Sequence, residues 1–298
     1  MTFWRGVWQA FTMSDLRQRL QSGNRRDGVL ALAVGLWVAL ALGLDTAATL
    51  GQQRLLGVGT WLLLLGLLRG ESRATRVQVG VVVAFATVVE YVFAGQLGVY
   101  VYRLDNVPAF VPPGHGLVYL AALAIGRSAW ALRHARRFVA TTLTLCGLWA
   151  GWGLLLAPRL DVLGAFWFGC LLVFTFRGRS PLVYAGAFVV VSYLEIVGTS
   201  LGTWAWQPRD PTGWIAIGNP PSGIAGGYAW FDAAALALTP RILRWWAARR
   251  PAAADRPGFP AAATLSVAPA LKAALPGAAS PGPELPGATP DRPERLAG

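Results

Sequence analysis

Charged residues are scarce in this chain of 298 residues, since Asp, Glu, Lys and Arg together make up 13% of it. Soluble domains carry about 25% charged residues, so this composition argues against a soluble globular protein. Cysteine is scarcer still, because Cys146 and Cys170 are the only two and both lie in long apolar runs. Their placement excludes a disulfide framework and a cysteine-rich metal cluster.

Histidine is equally rare, and the signatures of common catalytic sites are missing from the sequence. Neither His115 nor His134 has neighbours at a spacing typical of a metal site. No Walker, dinucleotide-binding, zinc-protease or nucleophile-elbow pattern stands in the sequence context that it needs. We therefore expect neither a metal nor another cofactor.

Apolar sequence is what the chain has in abundance. Hydrophobic residues account for 55% of it, the mean hydropathy is +0.47, and there are 14 Trp and 13 Phe. These values are typical of a membrane protein with aromatic rings at the bilayer interfaces. A spanning helix needs roughly 20 mostly apolar residues. Eight segments approach that length, over about 28–49, 54–69, 77–97, 115–133, 138–157, 160–176, 181–201 and 221–240. We predict an all-α, polytopic membrane helix bundle of about eight spans.

The arginines predict how this bundle is oriented. The net charge is +12, yet the basic residues interrupt hydrophobic segments instead of clustering on a polar surface, so the membrane explains them better than a nucleic acid does. With the N-terminus in the cytoplasm, most arginines fall in inner loops. Outer positions are Arg54, Arg103, Arg159 and Arg209. This bias follows the positive-inside rule and requires an even number of spans. We predict a bacterial inner-membrane protein with both termini cytoplasmic.

The two ends of the chain differ from the apolar middle. Residues 1–27 place Trp4, Trp8 and Phe11 near helical spacing, which predicts an amphipathic segment on the membrane surface; a frayed terminus is the alternative. Residues 246–298 form a predicted cytoplasmic tail, rich in Pro, Ala and Gly beyond about residue 251. Such a composition buries too little apolar surface to fold, so we expect disorder. Partner binding by the tail and an inert extension both stay open.

The two halves of the chain resemble each other around two glutamates. Glu90 and Glu195 each precede a Leu-Gly pair, then alternating aromatic residues, then a Pro-Pro pair. The matches are Leu97-Gly98 with Leu201-Gly202, Tyr100 and Tyr102 with Trp204 and Trp206, and Pro112-Pro113 with Pro220-Pro221. Because four spans separate the copies, both point the same way. We predict parallel repeats over 28–136 and 137–245, with a pseudo-two-fold axis along the membrane normal.

Carboxyl groups inside the predicted spans are the main candidates for chemistry. Glu90, Glu195 and Asp232 lie within spans, where ionisable groups usually face the bundle interior and serve function. An apolar cavity disfavours the charged form of a carboxyl, which lets it act as a general acid or a proton carrier. The repeat predicts that the two glutamates converge on one outer cavity. The alternative is a structural role, with each glutamate bonded to a neighbouring helix.

His115 is the fourth candidate catalytic residue. It opens the fourth predicted span beside Pro112 and Pro113, and histidine titrates near neutral pH, so it can exchange protons with Glu90. A histidine bonded only to backbone at a helix start is the alternative. The second half has no histidine at the matching place, so the halves are not chemically equivalent.

Aromatic and amide residues of the outer loops, together with a tyrosine in the eighth predicted span, are the candidate substrate-binding groups. They are Tyr100, Tyr102, Trp204, Trp206, Asn219 and Tyr228. In an extended segment, alternating aromatics place their rings on one face. Such a row can line the mouth of a lipid or polyene pocket, and it can equally belong to the aromatic belt of any membrane protein.

One stretch of the first half resembles a known family. The run Glu90 … Gly98-Val99-Tyr100-Val101-Tyr102 … Val107-Pro108 … Val111-Pro112 is similar to a motif of integral-membrane carotenoid biosynthesis proteins of the bisanhydrobacterioruberin hydratase type. The resemblance implies that Glu90 protonates an isoprenoid double bond before water adds, with Asp232 or Glu195 orienting the water. The second half departs from that family and looks like uncharacterised bacterial multi-pass membrane proteins.

Three functions are compatible with these features. The first is a membrane-embedded enzyme that acts on an isoprenoid, carotenoid or other lipid by carboxyl acid–base chemistry. The second is a small proton-coupled transporter, for which internal repeats and intramembrane carboxyls are typical. The third is a non-catalytic membrane scaffold. The expected partners are the lipid bilayer and a lipid ligand; the substrate and the oligomeric state stay open.

Overall fold

The computed structural model describes residues 24–249, and most of them are helical. In chain order the elements are α1 (Asn24–Asp45), α2 (Leu50–Leu68), α3 (Arg73–Glu90), a π-helix (Tyr91–Gln96), β1 (Tyr100–Tyr102), α4 (Val111–Gly126), α5 (Ala129–Arg133), α6 (Ala135–Leu155), α7 (Val162–Arg177), α8 (Pro181–Ser200), β2 (Trp204–Trp206) and α9 (Ala225–Ala248). A helix lies in each of the eight segments predicted to span the membrane. The predicted surface segment and the predicted tail lie outside the described residues, except for 24–27 in α1 and 246–249 at the end of α9.

The mostly helical fold is confirmed, with the difference that two short strands are present. Within the described part, four helices are long and apolar enough to cross a bilayer: Arg25–Asp45, Arg73–Gln96, Ala135–Leu155 and Pro181–Ser200. Large apolar side chains on outer helix faces are exposed, among them Leu36, Leu62 and Leu148, each more than 60% accessible. A contiguous apolar exterior of this kind is typical of contact with lipid. Eight crossings and the two repeats stay predictions.

Four helices, α3, α4, α8 and α9, surround the interior. Helix α4 packs against α8, α3 and α1, and α9 packs against α3, α7 and α8. Small residues permit the closest of these contacts, because a Cβ on Gly186 of α8 would lie 2.5 Å from the carbonyl oxygen of Ala122 in α4. Helix backbones approach this closely where glycine replaces larger side chains. The polar residues that α4 and α8 carry are thereby brought to a common interior.

At one end of the bundle, called here the arginine-rich end, the segments 69–72, 127–134 and 178–180 connect the long helices. Arg127 was predicted to lie within the fourth span. It lies instead just after α4, where the helix stops before Ser128 caps α5. Its guanidinium donates to Asp27 at 2.6 Å and to Glu71 at 2.8 Å. Although burial alone raises the pKa of Glu71, the hydrogen bond and charge of Arg127 hold it below its usual value of 4.5.

At the opposite end, called here the strand end, β1 and β2 lie beside the loops that follow α1 and α6. Asp45, the last residue of α1, is fully buried there and accepts a 2.9 Å hydrogen bond from the Gln53 amide. Arg103 donates to the carbonyl oxygen of Ala48, and Asn106 donates to Gln53 at 2.8 Å. These bonds fix the loop around β1 to the α1–α2 connection.

Candidate functional site

The two strands form an antiparallel ribbon that carries four of the predicted binding residues. Tyr100 pairs with Trp206 and Tyr102 pairs with Trp204, so each tyrosine of the first half faces a tryptophan of the second. Alternation along a strand puts all four rings on one face, as predicted. Each ring is buried, and the centroids of Tyr100 and Trp206 lie 4.5 Å apart. Gly98 and Gly202 precede the strands with φ of +60° and +69°, a backbone conformation that favours glycine.

Glu90 ends α3 at the point where the chain continues into the π-helix. Its Oε2 accepts hydrogen bonds from the hydroxyls of Tyr100 at 2.9 Å and Tyr102 at 2.8 Å. Its Oε1 lies 2.8 Å from Nε2 of His115. Burial, followed by the nearby Glu90 charge, raises the pKa of both phenols well above 10, so they remain donors. His115, which the sequence offered as a proton-exchange partner of Glu90, thus lies within hydrogen-bond distance of it.

Glu195 occupies the matching position on α8 but has different donors. Its Oε2 accepts from the indole nitrogens of Trp204 and Trp206, both at 3.1 Å. An indole can only donate a hydrogen bond, whereas a phenol donates and accepts, and imidazole can do both with its two nitrogens. The Glu90 cluster thus contains groups that can pass a proton onward, and the two indoles cannot do so for Glu195.

Both glutamates line one cavity of about 310 Å³. Apolar and aromatic side chains make most of its wall, including Trp37 from α1, Phe85 from α3 and Phe231 from α9. Of the predicted residues, Glu90, Tyr100, Tyr102, His115, Glu195, Trp204, Trp206 and Tyr228 lie on it. The Tyr228 ring stacks on His115 with a centroid distance of 5.1 Å. The arrangement is a hydrocarbon-lined chamber with two hydrogen-bonded carboxyl groups in its wall.

Two predicted site residues lie away from this cavity. Asp232 is buried one helical turn beyond Tyr228 and interacts electrostatically with the phenols of Tyr119 and Tyr184. Its position in a span was predicted from sequence, but its side of α9 was not. Asn219 is itself exposed in the loop between β2 and α9, and its side-chain oxygen accepts a 2.9 Å hydrogen bond from the backbone amide of Trp206. It positions β2 and does not contact the chamber.

Two residues that position the site were missing from the sequence-based candidates. Asp161 caps α7 through Gly164 and also accepts from the backbone amides of Gly218 at 2.8 Å and Ser222 at 2.7 Å. Arg159 donates to the carbonyl oxygens of Ile217 and Trp206. An Asp directly before an apolar helical run is an N-cap signal, but nothing local in the sequence indicates its bonds to a loop far along the chain.

The donor set does not suggest a metal centre, since within residues 24–249 no three His, Cys, Asp or Glu side chains cluster as metal ligands do. The cysteines of this region, Cys146 and Cys170, are both free. No protein-family model, no curated protein and no solved structure matches the chain.

Proposed function

We propose that this protein is a membrane-embedded enzyme that acts on an isoprenoid, carotenoid or other lipid by carboxyl acid–base chemistry. One observation carries the proposal: a mostly apolar cavity has a glutamate in its wall that is bonded to a histidine and two tyrosines. The apolar wall fits a hydrocarbon chain, and the polar cluster offers a proton at one place along it.

The proposed reaction is the addition of water to a carbon–carbon double bond. Glu90 gives its proton to one alkene carbon, and the π electrons form the new C–H bond, leaving a cation at the neighbouring carbon. The electron-rich rings of Tyr228 and Phe231 in the wall stabilise this charge. Water attacks the cation and loses a proton to Glu195. A second water molecule in the cavity carries that proton to His115, which passes a proton to Glu90, so that all three side chains return to their starting states. Since Asp232 lies outside the cavity, Glu195 is the residue that we assign to the water.

We further propose that the chain crosses a bacterial inner membrane eight times as two parallel repeats, with both ends in the cytoplasm. A helix in each expected segment supports eight spans. The antiparallel pairing of β1 with β2, centred on the matched residues Val101 and Ala205, supports the repeats, as does the packing of α4 on α8 and of α9 on α3. These two helix pairs are equivalent if the first four spans correspond to the last four.

A proton-coupled transporter is the second candidate, and the presence of two matched carboxyl groups on one cavity favours it. The two functions differ in what Glu90→Gln does. In an enzyme this variant loses turnover and still binds its lipid. In a carrier it loses proton-driven accumulation while passive exchange continues, which a liposome flux assay measures.

The experiment that tests the enzyme is the identification of the co-purified lipid. The protein is purified in mild detergent, and its bound lipids are analysed by absorbance and mass spectrometry. We expect a polyene or prenyl lipid in a stoichiometric amount. Gly114→Phe should abolish its binding, because Gly114 lines the cavity and an added side chain meets open space there.

The matched control is Gly80→Phe, which adds the same side chain to an exposed position of α3 with no atom nearby. It should retain the lipid, and so should Glu90→Gln. If the wild type and all three variants carry only bulk phospholipid, the isoprenoid enzyme is wrong, and proton flux in liposomes becomes the decisive assay.

A further inference from the structure

A second set of buried polar groups extends from the cavity toward the arginine-rich end, between α4 and α9. His115 and Tyr119 lie one turn apart on α4, and Tyr228 and Asp232 lie one turn apart on α9. Both helices begin at the strand end and run in the same direction. The rings of His115 and Tyr228 stack on each other. The residues one turn farther along each helix, Tyr119 and Asp232, therefore also lie at a common depth, about 6 Å closer to the arginine-rich end. The electrostatic interaction between Tyr119 and Asp232 agrees with this register.

Four atoms in this region lack hydrogen-bond partners within the described part of the chain. They are Nδ1 of His115, the hydroxyl of Tyr119, Oδ2 of Asp232 and Oγ1 of Thr239. All four residues are more than 90% buried. We call these four residues the polar column. Buried polar atoms in folded proteins are nearly always hydrogen-bonded, and where protein partners are missing, ordered water usually takes their place.

The inner half of α9 extends the polar column beyond Asp232. Thr239 lies seven residues after Asp232, which puts both on the same face of the helix, about 10 Å apart along its axis. Pro240 follows inside α9 and has no amide hydrogen to donate to the carbonyl oxygen of Leu236. That oxygen is a backbone acceptor that lies between Asp232 and Thr239 along the helix. Arg241 then begins the basic stretch at the arginine-rich end. Tyr184 of α8 faces Asp232 from a third helix.

We propose that the polar column holds a chain of water molecules that carries protons between the arginine-rich end and the Glu90–His115 pair. A proton enters the chain next to Thr239, and each water passes on one of its own protons. The last transfer adds a proton to Nδ1 of His115, and the proton on Nε2 moves to Glu90. No proton is gained or lost along the way, and Asp232 stabilises the excess charge midway. This inference rests on Glu90 as the proton-active group of the proposed function, and it gives Asp232 a role outside the cavity.

The test follows the ring protons of His115 and needs no substrate. Full-length protein labelled with ¹⁵N-histidine is reconstituted in liposomes and transferred to D₂O. Solid-state NMR then measures how fast the imidazole N–H signal disappears. The chain contains two histidines, so His134→Asn assigns the spectrum. Asp232→Leu and Thr239→Val should slow the exchange at His115 by about tenfold or more, because both remove polar groups that hold the water.

Thr142→Val is the matched control, since Thr142 is an equally buried threonine on α6, outside the polar column. It should exchange like the wild type. Thr239→Val keeps the shape of its side chain, so it remains informative if Asp232→Leu does not fold. Equal exchange in the wild type and Thr239→Val would overturn the proposal. Because lipid binding is measured separately, loss of this water path and loss of the enzyme function are distinguishable.

Discussion

Among single residues, Gly198 decides whether Trp204 can reach Glu195. A Cβ at this position of α8 would clash with the Trp204 indole. The ring would have to move, which would break its hydrogen bond with Glu195. We expect Gly198→Ala to lower the free energy of unfolding by about 1–3 kcal/mol, which is typical of overpacking. Thermal denaturation in mild detergent measures the change.

Gly43→Ala is the control for Gly198→Ala, because Gly43 is a helical glycine on the exposed face of α1 with no atom near an added Cβ. Alanine favours a helix over glycine by about 1 kcal/mol, so this variant should match or exceed the wild type in stability. Equal stability of Gly198→Ala and Gly43→Ala would show that the Trp204 contact does not depend on the glycine.

Glu71 predicts how stability changes with pH at the arginine-rich end. The ion pair with Arg127 holds the pKa of Glu71 below 4.5, so the native state favours the carboxylate. The stabilisation is therefore complete above about pH 4.5 and is lost as the pH falls through the lower native value. We expect denaturation midpoints of the wild type to exceed those of Glu71→Gln at neutral pH, and the difference to shrink below pH 4.5. A difference that stays constant down to acidic pH would contradict a charge-dependent role.

Among the elements, the ribbon of β1 and β2 joins the two halves of the chain at the site. Val101 pairs directly with Ala205 at its centre. Directly opposed residues of an antiparallel pair have Cα atoms about 4.5–5.5 Å apart, within the range that a disulfide spans. We expect Val101→Cys combined with Ala205→Cys to form an intramolecular disulfide on mild oxidation, detected by peptide mass spectrometry. Val101→Cys with Trp214→Cys is the control, since Trp214 is exposed in the same loop but lies outside the strands.

The helices and the ribbon differ in how far the sequence predicts them. Apolar runs of sufficient length place a helix in each of eight segments, because a membrane requires internally bonded backbone there. Alternation of Tyr100 with Tyr102, and of Trp204 with Trp206, predicts extended segments with rings on one face. The π-helix after Glu90 and the break at Arg127 were not predictable, because they depend on tertiary contacts across the bundle.

In the molecule as a whole, the convergence of Glu90 and Glu195 on one cavity was predictable because it follows from the matched halves. The separation of Asp232 from that cavity was not predictable. The rotation of α9 about its own axis decides whether a given side chain faces the cavity, and the sequence does not specify that rotation. Asp161 and Arg159 act on backbone groups far along the chain, and such bonds impose no pattern on the residues that receive them. The sequence therefore predicted which polar groups line the cavity better than which residues hold them in place.

The number of membrane crossings depends on the two shorter apolar helices, α4 and α7. Each has 16 residues, which extends about 24 Å, less than the roughly 30 Å of a bilayer core. Local thinning of the bilayer or flanking arginines at the interface can make up the difference. If both helices cross, six crossings separate the loop after α1 from the loop after α8, and these loops lie on one side. If one of them fails to cross, the two loops lie on opposite sides.

Cysteine labelling decides between these arrangements. In a background with Cys146→Ala and Cys170→Ala, single cysteines replace the exposed residues Thr46 and Thr212 at the strand end, or Ser72 and Arg179 at the arginine-rich end. We expect a membrane-impermeant maleimide to label Thr46→Cys and Thr212→Cys on intact cells, and the other two only after permeabilisation. Labelling of Thr46→Cys and Thr212→Cys from opposite sides would contradict eight spans. If Thr46→Cys and Thr212→Cys both require permeabilisation, the number of eight spans is supported but the orientation is reversed. The polar column would then lie between Glu90 and the external medium.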